Sequence, residues 1–145
     1  MVRRQQGERR WDGVEVLPYK EDGTLFRSVT RQLLAEGGAG LPVELRYFEV
    51  GPGGHSTLER HEHEHLVVIA RGCGRVMVGE RISEVSEGDV VQIEPMTWHQ
   101  FRAAEQAPLG FYCVVHQVRD RPQRPDAATL SELSQSPEIA EFIRF

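Results

Sequence analysis

A chain of 145 residues is long enough for one compact domain with its own core and short for two. A net charge of −5, with no single basic stripe, argues against nucleic acid as a partner. No run approaches the roughly 20 apolar residues that cross a bilayer, and two cysteines are too few for a disulfide framework, so a cytoplasmic protein with reduced thiols is expected.

Arg3, Arg4, Arg9 and Arg10 are followed by no apolar run of signal-peptide length and read as a solvated, partly disordered start. Leu25 to Ala35 fits a helix face through Phe26, Val29 and Leu33 and a strand face through Phe26, Ser28, Thr30 and Gln32. The glycine-rich loop from Glu36 to Gly40 leads into the alternating run Val43 to Val50, which favours a hairpin. Leu66 to Ala70 is a short buried-strand run, and Gly72-Cys73-Gly74 reads as a turn into Arg75 to Val78. Gly79-Glu80 and Glu87-Gly88-Asp89 turn the chain into Arg81 to Val85 and Val90 to Ile93. Trp98 to Arg102 and Leu109 to Val118 complete about seven short strands, the pattern of an all-β sandwich or barrel. Arg121 to Pro125 is a linker, Thr129, Leu130 and Leu133 suggest a helical turn, and Ser136-Pro137-Glu138 is a helix start with Ile139, Phe142 and Ile143 on its apolar face. One domain is expected, with an N-terminal extension over 1–24, a β-barrel over 25–118, and a linker and C-terminal helix over 119–145.

Five of the six histidines lie in two places, His55 to His65 and His99. Imidazole and carboxylate suit divalent first-row metals, so this cluster reads as one metal site assembled from two strands. On a regular strand Glu59, His61, His63 and His65 all face one way, yet the outer two would stand about 20 Å apart. A turn must therefore fold the chain between them, and spacing alone does not say which subset converges.

The pattern resembles the cupins, whose first motif reads G-x5-H-x-H-x3-E-x6-G. Here Gly53, Glu59, His61, His65 and Gly72 hold all five motif positions at the four required spacings, with Glu59 for the first histidine and His65 for the glutamate. In the second motif, G-x5-P-x-G-x2-H-x3-N, Gly88 and His99 hold their places, while Glu94, Met96 and Ala103 replace Pro, Gly and Asn, and Pro95 is displaced by one. The resemblance covers about residues 43–118 and is strongest to small single-domain cupins with a histidine in the third ligand position. It implies a double-stranded β-helix (jelly-roll) barrel and, in this register, the metal ligands Glu59, His61, His65 and His99. A competing register takes His61-x-His63 as the histidine pair, but then needs a carboxylate where Val67 and Val68 stand and misplaces Gly72. The first register leaves His63 in the turn as a group behind the ligands or at the rim.

Phe101 shares the parity of His99 and is expected in the pocket, whereas Trp98 faces away. By the resemblance Cys113 lies on a strand lining the interior, either facing the cavity or buried as an inert thiol. Cys73 reads as a small packed side chain, and His55 and His116 as surface or structural histidines.

Three neutral imidazoles and one carboxylate on M²⁺ leave a net charge near +1 and, on an octahedral ion, two open positions. One divalent transition metal per chain is expected: Mn or Fe first, with Zn, Ni, Co and Cu also compatible with the ligands. Lys20, the only lysine, lies far from the motif, so no separate general base is evident. The resemblance therefore implies a dioxygenase-like oxidoreductase acting on a small molecule. A binding or sensor module and a Lewis-acid isomerase or lyase are the alternatives. The partners expected are a small-molecule ligand or substrate and a second copy of the chain in a homodimer, with residues 25–36 at the interface.

Overall fold

The computed structural model describes residues 1–18 and 27–145. Lys20, Leu25 and Phe26 therefore lie outside the described residues. In chain order the elements are β1 (Leu17–Pro18), β2 (Arg27–Glu36), β3 (Val43–His55), β4 (His65–Val78), β5 (Arg81–Ser86), β6 (Val90–Ile93), β7 (His99–Ala103), β8 (Leu109–His116), α1 (Ala127–Leu133) and α2 (Pro137–Phe142).

The strand pairings are all antiparallel. β8 lies between β3 and β4, β4 also pairs with β7, and β7 returns to β3 through His55 and Arg102. That ring closes the sheet into a barrel, and closure removes most of the unpaired edges an open sheet would leave. Alternation then assigns the faces. On β8, Leu109, Phe111, Cys113 and Val115 point inward with Phe48 and Val50 of β3, Val67 and Ile69 of β4, and Phe101 of β7. Phe111 stacks between Phe48 and Phe101, at centroid distances of 5.6 and 4.4 Å.

Two smaller clusters cover the outside of the barrel. Ile139, Phe142 and Ile143 pack on Leu58 and Met77, with Trp98 half-buried at the margin. The start of α2 follows the expected chemistry: Ser136 caps Ile139 N–H, with Pro137 and Glu138 in the first turn. On the opposite flank, Trp11 packs 5.2 Å from Tyr47 and 6.1 Å from Tyr112.

Several local expectations are corrected. Gly72-Cys73-Gly74 is not a turn, because β4 runs unbroken from His65 to Val78. Its first half pairs with β6 and β8 and its second half with β5 and β7, so these glycines mark the corner at which one strand changes neighbours. Gly72 has φ +70°, and a Cβ there would lie 1.8 Å from the Pro108 carbonyl oxygen. Cys73 is exposed rather than packed, since the corner turns it to the outside. β8 stops at His116 because the His116 ring accepts the Val118 N–H and curls the chain. The N-terminal start is not wholly solvated, as Arg9 Nη2 donates to Ala70 O at 2.5 Å and Gln32 Nε2 donates to Arg9 O at 2.8 Å.

Candidate metal centre

His61 follows the isolated bridge between Glu59 and His99, His65 opens β4, and His99 opens β7. The bridge is reciprocal: Glu59 N–H donates to His99 O at 3.2 Å and His99 N–H to Glu59 O at 3.0 Å. It pins the histidine segment to β7, and the chain then folds over between His61 and His65. This is the turn that a regular strand could not supply. The ligand nitrogens of His61, His65 and His99 all lie within 4.8 Å of one another. The Glu59 carboxylate lines the same cavity, buried, but does not belong to that convergent group.

The outward ring nitrogens explain how the imidazoles are aimed. His61 Nδ1–H donates to His63 O at 2.9 Å and His99 Nδ1–H to Thr97 O at 2.8 Å. A carbonyl only accepts, so both rings carry their proton on Nδ1 and turn the Nε2 lone pair inward. His65 Nε2 lies 2.7 Å from His61 Nε2, and His65 Nδ1 lies 2.9 Å from Cys113 Sγ. Without a cation, His65 can donate Nε2–H to His61 and accept the Cys113 S–H. Were His65 to hold a cation through Nε2, its proton would sit on Nδ1 and the sulfur would be the acceptor. The three imidazoles therefore fit a divalent ion, each already held by its second nitrogen.

Burial keeps His65 and His99 neutral. Desolvation, reinforced by His99 and His61, pushes His65 far below the ordinary histidine range. Desolvation lowers His99 to about 4, against the opposing hydrogen bond to Thr97. Neutral imidazole is the form that binds metal.

His63 does not join the convergent group. Its ring stacks on His61 at a centroid distance of 3.7 Å and an angle of 6°, and its Nδ1 meets Asp120 Oδ1 at 2.8 Å. Asp120 Oδ2 also accepts Glu62 N–H at 2.9 Å. Sequence reasoning missed Asp120, because it reaches the histidine loop from the linker and no spacing signals it. Burial lowers His63, with Asp120 opposing. His55 and His116 stand apart from the centre: His55 Nδ1 meets the Ser56 carbonyl, and His116 Nδ1 accepts the Val118 N–H.

Behind the imidazoles lies a cavity of about 50 Å³, walled by Phe48, Phe101 and Phe111 and reached by Glu59, His65 and Cys113. That space suits an ion and a water or two, so a larger ligand extends into the mouth. Thr57 Oγ1 is buried on its wall with no hydrogen-bond partner among the described residues. Cys113 is buried, and desolvation raises its thiol while the Arg46 charge opposes. Larger grooves of about 530 and 620 Å³ lie along β4 and β5 and contain none of the histidines. Among the described residues, no helix is long and apolar enough to cross a membrane.

In Met96 the second motif keeps its shape without its glycine. Met96 adopts φ +58°, the left-handed conformation that glycine takes freely, and its N–H donates to His61 O at 2.7 Å. The substitution thus leaves the turn before His99 intact.

Comparison with known proteins agrees with this architecture. The family described as "Cupin domain" matches residues 46–115. A Rhodospirillum rubrum protein named 1-methylthio-D-xylulose 5-phosphate methylsulfurylase is 53% identical over 139 residues, covering 95% of this chain and 88% of that protein. The crystal structure of a cupin 2 conserved barrel domain protein from Rhodopseudomonas palustris superimposes with a TM-score of 0.94 at 54% identity, covering all of both chains. A cupin-2 domain structure from Rhodospirillum rubrum gives 0.88 at 52% identity, covering 97% of this chain and 95% of that one. The closed barrel, the motif spacing and these relatives together place the chain in the cupin family.

Proposed function

We propose that the chain is a metal-dependent enzyme that removes the methylthio group from a 1-methylthio ketose phosphate, with Cys113 accepting the sulfur. The observation that carries this reading is the Cys113 sulfur, buried in the cavity 2.9 Å from a ring nitrogen of His65. The substrate class follows the name of the Rhodospirillum rubrum relative, which is alike over nearly the whole chain.

The ion would be held by His61, His65 and His99, with Glu59 as the fourth ligand, and manganese or iron is favoured. When bound, it supplies Lewis-acid charge beside a ligand carbonyl. Cys113 attacks the methylthio sulfur, the S–S bond forms, and the C1–S bond breaks. The electron pair passes to C1 and is delocalised into the neighbouring carbonyl until C1 takes a proton. In net terms the Cys113 thiol proton ends on C1, giving the 1-deoxy ketose phosphate and a methyl disulfide on Cys113. A second thiol from solution then takes the methylthio group as a mixed disulfide and restores the Cys113 thiol. His65 Nδ1–H orients the sulfur, and the phenylalanine wall keeps water from the carbanionic carbon. A cytoplasmic setting supplies the reducing thiols. The protein acts as a homodimer through the β2 edge, which among the described residues β1 covers at Thr30 and Arg31.

An oxygen-dependent oxidoreductase would use the same ligands but consume O₂. The test is anaerobic incubation of metal-loaded protein with 1-methylthio-D-xylulose 5-phosphate and excess thiol. The expected result is turnover without oxygen, a methylthio adduct on Cys113 in mass spectra when thiol is withheld, and a fall of about a thousandfold or more in Cys113→Ser. Turnover only with O₂, or full activity in Cys113→Ser, contradicts the reading.

A further inference from the structure

Arg46 stands opposite Cys113 in the β3–β8 register, on the same inward face. It is only 7% exposed. Its Nη2 lies 3.7 Å from Cys113 Sγ and its Cζ 5.1 Å from the Phe48 ring centroid, and both of those side chains line the cavity. Its Nε is buried with no hydrogen-bond partner among the described residues. Among the described residues no carboxylate is within ion-pair reach of it, whereas Arg71 is paired with Glu49 and Arg119 with Glu44.

A guanidinium stays charged when buried. A thiol sulfur is a weak acceptor, and one contact at 3.7 Å does not offset the loss of hydration. An apolar side chain would fill this position at lower cost, as Phe48 and Val50 do on the same face of the strand. A charge kept in such a place is explained by a ligand that brings the opposite charge.

We infer that Arg46 is the anion-binding residue of the cavity, taking a phosphate or carboxylate of the bound ligand on its planar fork. Two ligands offer that chemistry under the reaction proposed above, on which this assignment of sources rests. One is the phosphate of the ketose. The other is a carboxylate on the thiol that clears Cys113.

The test uses metal-loaded wild type, Arg46→Met and Arg46→Lys. Arg46→Met is chosen because an unpaired buried charge replaced by an apolar side chain of similar length is tolerated or stabilising. Binding of inorganic phosphate is measured by calorimetry, alongside melting temperature and metal content. KM is measured for the ketose phosphate and for two thiols, 3-mercaptopropionate and 2-mercaptoethanol. The expected result is phosphate binding weakened about 30-fold or more in Arg46→Met, partly recovered in Arg46→Lys, with metal content unchanged and melting temperature not lowered. A raised KM for the ketose phosphate identifies its phosphate as the partner. A raised KM confined to 3-mercaptopropionate identifies the carboxylate of the acceptor. If the wild type turns over no methylthio ketose phosphate yet phosphate binding still depends on Arg46, the reaction is wrong and the anion site stands. Unchanged phosphate binding in Arg46→Met, or a loss of kcat with every KM unchanged, overturns the inference.

Discussion

At the scale of the residue, the candidate metal centre is a matter of which ring nitrogen holds the proton. The carbonyls of His63 and Thr97 fix His61 and His99, and Cys113 holds the outward nitrogen of His65. None of these partners belongs to the ligand motif. Met96 shows the same logic in the backbone: an L residue takes a left-handed φ so that its N–H can reach His61 O. Left-handed backbone costs an L residue about 1–2 kcal/mol, and glycine gives back about 0.5–1 kcal/mol of that in chain entropy. Met96→Gly is therefore expected to raise stability by up to about 1 kcal/mol in urea denaturation with metal binding retained. A loss of stability would show that the Met96 side chain, rather than its conformation, matters. The imidazoles and their spacing were legible in the sequence because ligand chemistry demands particular residue types. Asp120 and Arg46 were not: Asp120 arrives from a linker, and the direction of Arg46 depends on a register that pairs it with Cys113.

At the scale of the element, β4 separates what periodicity reveals from what it conceals. The apolar run Leu66 to Ala70 and the segment Arg75 to Val78 read as strands, and the three-residue Gly-Cys-Gly segment between them reads as a turn by composition. The structure instead bends one long strand there, because pairing with β8 on one side and β5 and β7 on the other rewards continuity. A change of neighbours is non-local and leaves only glycine as its trace. The C-terminal helix was the opposite case, since Ser136, Pro137 and Glu138 specify its start locally. Its anchor, Phe142, is 1% exposed and lies under the guanidiniums of Arg75 and Arg102 at 5.4 and 5.2 Å. Phe142→Ala is expected to cost about 3–5 kcal/mol. The cluster lies outside the barrel, so metal content should be unchanged while the urea midpoint falls. Loss of the metal in a folded Phe142→Ala protein would mean that the two faces are coupled.

At the scale of the whole molecule, the barrel brings together residues far apart in the chain: Arg46, the Glu59–His65 loop, His99 and Cys113. Closure by β8 sets the thiol and the imidazoles around one cavity. Under the proposed homodimer, β2, with its exposed Leu33, is the surface that would meet the second copy. Analytical ultracentrifugation at micromolar concentration is expected to give a dimer, and a monomer there removes that part of the account. The central claim, that three imidazoles of this barrel hold a divalent ion, is tested most directly by elemental analysis of purified wild type, His65→Ala and His63→Ala. The account predicts one metal per chain in the wild type, lost in His65→Ala and kept in His63→Ala. A wild type without metal after reloading, or loss in His63→Ala alone, would contradict it.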